Sequence, residues 1–128
     1  MSVPITKPIR FDPAGGTLKV NVTFDTLFVC TYKLRLKGKN SNTILMTQTG
    51  DNTNDQDDIY PLPLPVESNK NRSLWAFMTV IDQAGKGGKY KLTMEIIQDG
   101  KVVGSITTKD KNIEGNIVNE VLIVKLIS

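Results

Sequence analysis

The chain has 128 residues, 39% of them hydrophobic and 23% charged, and 16 basic against 13 acidic side chains leave a net charge of +3. This fits one soluble domain with a core of its own, residues 1–128, and is too weakly basic to announce nucleic acid as a partner. The absence of histidine removes His-based triads, His metal ligands and the usual pH switch, and the single Cys30 excludes an intrachain disulfide.

Residues 1–10 carry Pro4 and Pro8, and proline fixes φ and donates no hydrogen bond, so an extended N-terminal arm or short edge strand is expected. The stretch has no apolar signal-peptide core, and no apolar run of the chain approaches the roughly 18 residues of a membrane helix, so no membrane insertion is expected. Taken as full-length the chain reads as cytoplasmic; with a leader trimmed away it would read as extracellular. Asn21-Val22-Thr23 and Asn71-Arg72-Ser73 match the glycosylation sequon and are read as chance.

Asp12–Gly16 is a turn. Thr17–Phe24 then alternates Leu18, Val20, Val22 and Phe24 with polar residues, the period of a strand with one wet side. Leu27–Lys37 repeats the pattern, with Phe28, Cys30, Tyr32, Leu34 and Leu36 inward and Thr31, Lys33, Arg35 and Lys37 outward. Cys30 is therefore expected as a buried, inert thiol. Thr43–Thr49 is a weaker strand. Gly50–Asp58 is an acidic loop, and Ile59–Val66 (I-Y-P-L-P-L-P-V) is an edge strand or polyproline-like crossover, since each proline deletes a ladder donor.

Ser73–Ile81 (S-L-W-A-F-M-T-V-I) is apolar in both phases and reads as a central strand covered on both sides, with Trp75 and Phe77 placed in the core. Lys89–Ile97 alternates again, and Asp99-Gly100 is a two-residue hairpin turn into Lys101–Thr108. A plain two-residue loop would send Ile106 to the polar face, so a bulge is expected at Gly104. Ile117–Ile127 closes the sheet. The expected fold is all-β: a single antiparallel β-sandwich of about eight or nine strands. Its inner face is built from Val20, Val22, Phe28, Tyr32, Leu34, Trp75, Phe77, Tyr90, Leu92, Met94 and Leu122.

Gly88–Gly104 (G-K-Y-K-L-T-M-E-I-I-Q-D-G-K-V-V-G) resembles the penultimate hairpin of immunoglobulin-like and fibronectin-III-like modules, which implies that general architecture. Phe11–Val22 is similar to the opening strand of bacterial surface β-sandwich repeats. The Cys–Trp–Cys spacing of true immunoglobulin domains is missing, and neither resemblance transfers a functional residue.

Three constellations bear on function. Asp51, Asn52, Asn54, Asp55, Asp57 and Asp58 are hard oxygen donors of the kind Ca²⁺ prefers, though without EF-hand spacing, and Tyr60 adds a sugar-stacking ring beside them. Calcium is the one cofactor suggested. Lys33, Arg35 and Lys37 form a basic strip suited to an anionic surface, and Lys89 and Lys91 extend it if the two strands are neighbours. Nothing aromatic interleaves with the strip, so a base-stacking platform is not expected. No catalytic set is visible. The expectation is a non-enzymatic module acting by protein–protein contact or self-association through edge strands, the N-terminal arm, the proline-rich segment 59–66 and the apolar last strand. The alternative is a carbohydrate- or ligand-binding module using the 50–60 loop.

Overall fold

The alternating segments become ten strands in the computed structural model, which describes residues 4–53, 58–108 and 111–128. They are β1 (Ile5–Arg10), β2 (Leu18–Asp25), β3 (Val29–Lys37), β4 (Ile44–Asp51), β5 (Ile59–Pro61), β6 (Ser73–Ile81), β7 (Lys89–Gln98), β8 (Lys101–Thr107), β9 (Lys111–Asn112) and β10 (Ile117–Ile127). One 3-10 turn, Val66–Asn69, follows the prolines.

Two sheets result. The first runs β1-β10-β6-β3-β4 and the second β5-β2-β7-β8, with the short β9 also on β7. β1 lies parallel to β10, and every other pairing is antiparallel. The β7–β8 hairpin thus belongs to the sheet opposite β3. Apolar side chains from both sheets form one buried cluster, with Leu34, Leu74, Met78 and Leu122 from the first and Val20, Leu92, Met94 and Ile96 from the second.

The hairpin turns as its residues dictate. Asp99 and Gly100 both have positive φ, 53° and 74°, the conformation of a type I′ turn. Ile97 pairs with Val102, the register then shifts, and Ile96 pairs with Gly104. Val103 is the extra residue of the bulge, and the shift returns Ile106 to the buried face opposite Met94. A glycine is needed at 104 because a Cβ there would sit 2.7 Å from Cγ2 of Ile9 on β1.

One strand is oriented differently from expectation. β6 is central in its sheet, between β10 and β3, but its buried set is Leu74, Ala76, Met78 and Val80. Trp75 and Phe77 lie half-buried on the outer face, not in the core, because period two allows one phase inward and the smaller aliphatic set fills it. The last strand β10 is also internal in the sheet: Leu122–Lys125 pairs with both β1 and β6, while among the described residues Ile117–Val121 pairs with β6 alone.

Several polar side chains inside the fold tie loops to strands. Gln98 Nε2 donates to the carbonyls of Asp12 and Gly16, and its Oε1 accepts from Asp12 N–H, pinning the 12–16 turn to the end of β7. The buried carboxylate of Asp82 accepts from Gly85 and Gly87 N–H and closes the turn before β7. Cys30 is fully buried, and burial pushes its thiol up to about 11, which keeps it protonated and inert.

Candidate interaction surface

The acidic loop spends its described polar groups on the fold. Asn52 accepts from Cys30 N–H at 2.8 Å and donates to Phe28 O at 2.8 Å, so it ties the end of β4 to β3. Asp51 accepts from Thr53 N–H and Thr53 Oγ1, and these two bonds hold its carboxyl below the usual range. Asp58 accepts from Tyr32 Oη at 2.7 Å, and Tyr32 Oη also shares a hydrogen bond with Tyr60 Oη at 2.5 Å. Burial first, then these two partners, raise the Tyr32 hydroxyl far above its ordinary value. Tyr60 is therefore a half-buried strut between β5 and β3 rather than an open stacking ring. Asn54, Asp55 and Asp57 lie outside the described residues. Among the described residues no group of three or more His, Cys, Asp or Glu is placed to hold a metal.

The basic strip is real but its extension is not. Lys33, Arg35 and Lys37 share the outer face of β3 in the first sheet. Lys89 and Lys91 sit on β7 in the second sheet, with Lys91 opposite Asp25, so they do not extend the strip.

What joins the strip instead comes from β6. Arg35 is the cross-strand partner of Trp75, and Lys33 that of Phe77. The Lys37 Nζ stands 3.8 Å from the Trp75 ring centre, and the Arg35 guanidinium 5.9 Å from that of Phe77. The two rings stack at 6.0 Å with 21° between their planes, and Trp75 Nε1 donates to Ser73 Oγ at 2.9 Å. The expectation that nothing aromatic interleaves with the strip is therefore overturned. Aromatic and basic residues are interleaved across strands, a relationship invisible along either strand alone.

The rest of this face follows from the register. Thr47 and Thr49 of β4 lie beside Arg35 and Lys33, and Val121, Ile123 and Lys125 of β10 lie beside Phe77, Trp75 and Ser73. Asp51 is the one outward carboxylate on the strands of this sheet, and Thr53 already occupies it. Thr31, Tyr32, Lys33, Arg35, Phe77 and Thr79 line an open depression of about 420 Å³. Arg35 Nε is buried there without a hydrogen-bond partner.

The sheet edges differ in how they are protected. β1 contains Pro8 and is drawn over β8, with Lys7 Nζ donating to Ser105 O at 2.8 Å. β5 is three residues long and ends in Pro61. The proline segment continues into the core through Leu62 and Val66, leaving Leu64 exposed. β4 is eight residues, I-L-M-T-Q-T-G-D, with no proline and no basic residue, and among the described residues it pairs only with β3. Ile44 and Leu45 are 46% and 42% exposed at its start, where a register shift near Lys37 leaves Met46–Asp51 regular.

No protein-family model, curated protein or solved structure matches this chain.

Proposed function

We propose that this protein is a non-enzymatic interaction module, built as a β-sandwich, that works by accepting an extended protein segment along β4. The two-layer arrangement supports the immunoglobulin-like or fibronectin-III-like general architecture. The observation that carries the reading is the unpaired side of β4. An edge strand presents a row of backbone donors and acceptors ready to pair with another chain. Natural edges are usually blunted by proline, lysine, a cover or shortness, and the edge strands β1, β5 and β8 are treated in those ways, by Pro8, by shortness and by the cover of β1. β4 has a bulge at its first residues and nothing further along.

The occupant we assign is a second copy of this chain, β4 against β4 across a two-fold axis. Such a pairing is self-complementary and joins two five-stranded sheets into one. Ile44 and Leu45 at one end of each strand lose exposed apolar area in the joint.

Hydrogen–deuterium exchange at low and high protein concentration tests this. The outward amides between Met46 and Gly50 become protected at high concentration, and the Thr47→Lys/Thr49→Lys variant loses that protection while keeping it in β6 and β10. Equal exchange of the β4 amides at both concentrations would contradict the reading.

A further inference from the structure

The outer face of the first sheet repeats one motif: a flat ring beside a cation. Arg35 lies opposite Trp75 and Lys33 opposite Phe77, each pair two residues further along its strands. A two-residue step is roughly 6.6 Å along a strand, close to the 6.0 Å between the two ring centres. The cations lean diagonally over the rings, Lys37 on Trp75 and Arg35 on Phe77. Lys125 adds a fourth positive group at the Ser73 end, and the single carboxylate at the other end is engaged by Thr53. On the same face Thr47 and Thr49 lie beside Arg35 and Lys33, and Thr79, next beyond Phe77 on β6, is flanked by Thr31 and Asn119.

We infer that this face binds single-stranded nucleic acid. Each nucleotide of a single strand carries one flat base and one phosphate, so its chemistry repeats as the surface does. Single-strand sites combine a positive track for the backbone with aromatic side chains on which bases stack. The guanidinium of Arg35 is itself planar and adds a third stacking surface. Duplex is not the ligand, because its bases are paired and stacked inside and offer no free face to Trp75 and Phe77. A polyanion without rings would meet the four cations and leave the rings unused. The site differs from the β4 edge in its chemistry: it uses side chains of the sheet face, chiefly of β3, β6 and β10 with Thr47 and Thr49 of β4 at its border, while the edge uses backbone. Strand pairing alone creates the face, since Trp75 and Phe77 lie some forty residues from the basic strip in sequence.

Trp75 is the sole tryptophan of the chain, so its fluorescence reports on this face directly. The probe is a single-stranded thymidine oligonucleotide, titrated at low salt, with labelled-oligonucleotide anisotropy as the second readout. The inference predicts saturable quenching and a log–log salt slope of about −2 to −3 from three or four phosphate contacts. Phe77→Ala weakens binding by about tenfold, the loss of one stacked base. Lys33→Glu/Lys37→Glu abolishes it. Lys89→Glu/Lys91→Glu, equal in charge but on the other sheet, leaves it unchanged, and circular dichroism checks that each variant is folded.

Three results would overturn the inference. One is no saturable change in either readout. Another is equal binding of heparin or polyglutamate, with Phe77→Ala without effect, which would mark a general anion patch. The last is equal weakening by the Lys89→Glu/Lys91→Glu variant, which would mark diffuse charge.

Discussion

Tyr90 of β7 and Glu120 of β10 meet across the interior: the tyrosine hydroxyl donates to Oε1 of the carboxylate at 2.8 Å, and both residues are buried. The two side chains belong to opposite sheets, so the bond fixes how one sheet sits on the other. A buried pair of this kind confers geometry as much as stability, since apolar packing has no preferred direction.

Tyr90→Phe tests its contribution. It removes one charge-assisted bond and no ring packing, so the expected loss is about 1.5–3 kcal/mol, read as a lower denaturation midpoint with an unchanged m-value. A variant as stable as the parent would show that the bond does not hold the sheets in register.

Alkaline pH acts on the same groups. Burial, followed by the hydrogen bond to Glu120, raises the Tyr90 hydroxyl well above its ordinary value, and Tyr32 shifts the same way. Cys30 is pushed up to about 11 by burial. A raised native pKa means that the folded chain keeps protons the unfolded chain has already lost. The stability these groups contribute is therefore complete below about pH 8.5 and falls as pH rises through 9 and 10 and beyond. Thermal melts should be level through neutral pH and decline steadily above about pH 9, and Tyr32→Phe should flatten the decline. A midpoint that holds constant into strong alkali would contradict this assignment.

Gly50 is required by Tyr32. The two are cross-strand partners, and a Cβ on Gly50 would lie 2.6 Å from the tyrosine Cζ. The ring has no room to yield, because Asp58 and Tyr60 both hold its hydroxyl. Gly50→Ala should cost about 1–3 kcal/mol by forcing the ring off its place. The double variant Gly50→Ala/Tyr32→Phe, freed of the hydroxyl's tethers, should recover part of that loss in chemical denaturation. Additive losses would argue against the clash.

Local chemistry was readable in this sequence, and non-local pairing was not. Asp99-Gly100 named its turn, and the misplaced phase of Ile106 named the bulge beside it, because both depend on neighbours within a few residues. Prolines 61 and 63 correctly excluded a central strand at Ile59–Val66. β6 defeated the pattern because apolar residues occupy both phases, so period two could not say which faced in, and the larger side chains are outward. Lys89 and Lys91 matched the β3 strip in type and spacing, yet strand order put them in the other sheet. Glu120 sits among apolar residues of β10 as a buried carboxylate, and Tyr90, thirty residues away in sequence, donates to it from the opposite sheet. Within the acidic loop, Asn52 looked like a ligand and is a backbone bridge.

Molar mass by light scattering across a wide range of protein concentration tests the β4 reading most directly. The chain weighs 14.1 kDa, and the account predicts a rise toward about 28 kDa as concentration increases, the dimer of a two-fold pairing. Thr47→Lys/Thr49→Lys should hold the mass at the monomer value with its fold intact. A parent chain that stays monomeric at every concentration, or a dimer that those two lysines do not disturb, would contradict the claim that β4 is the working edge.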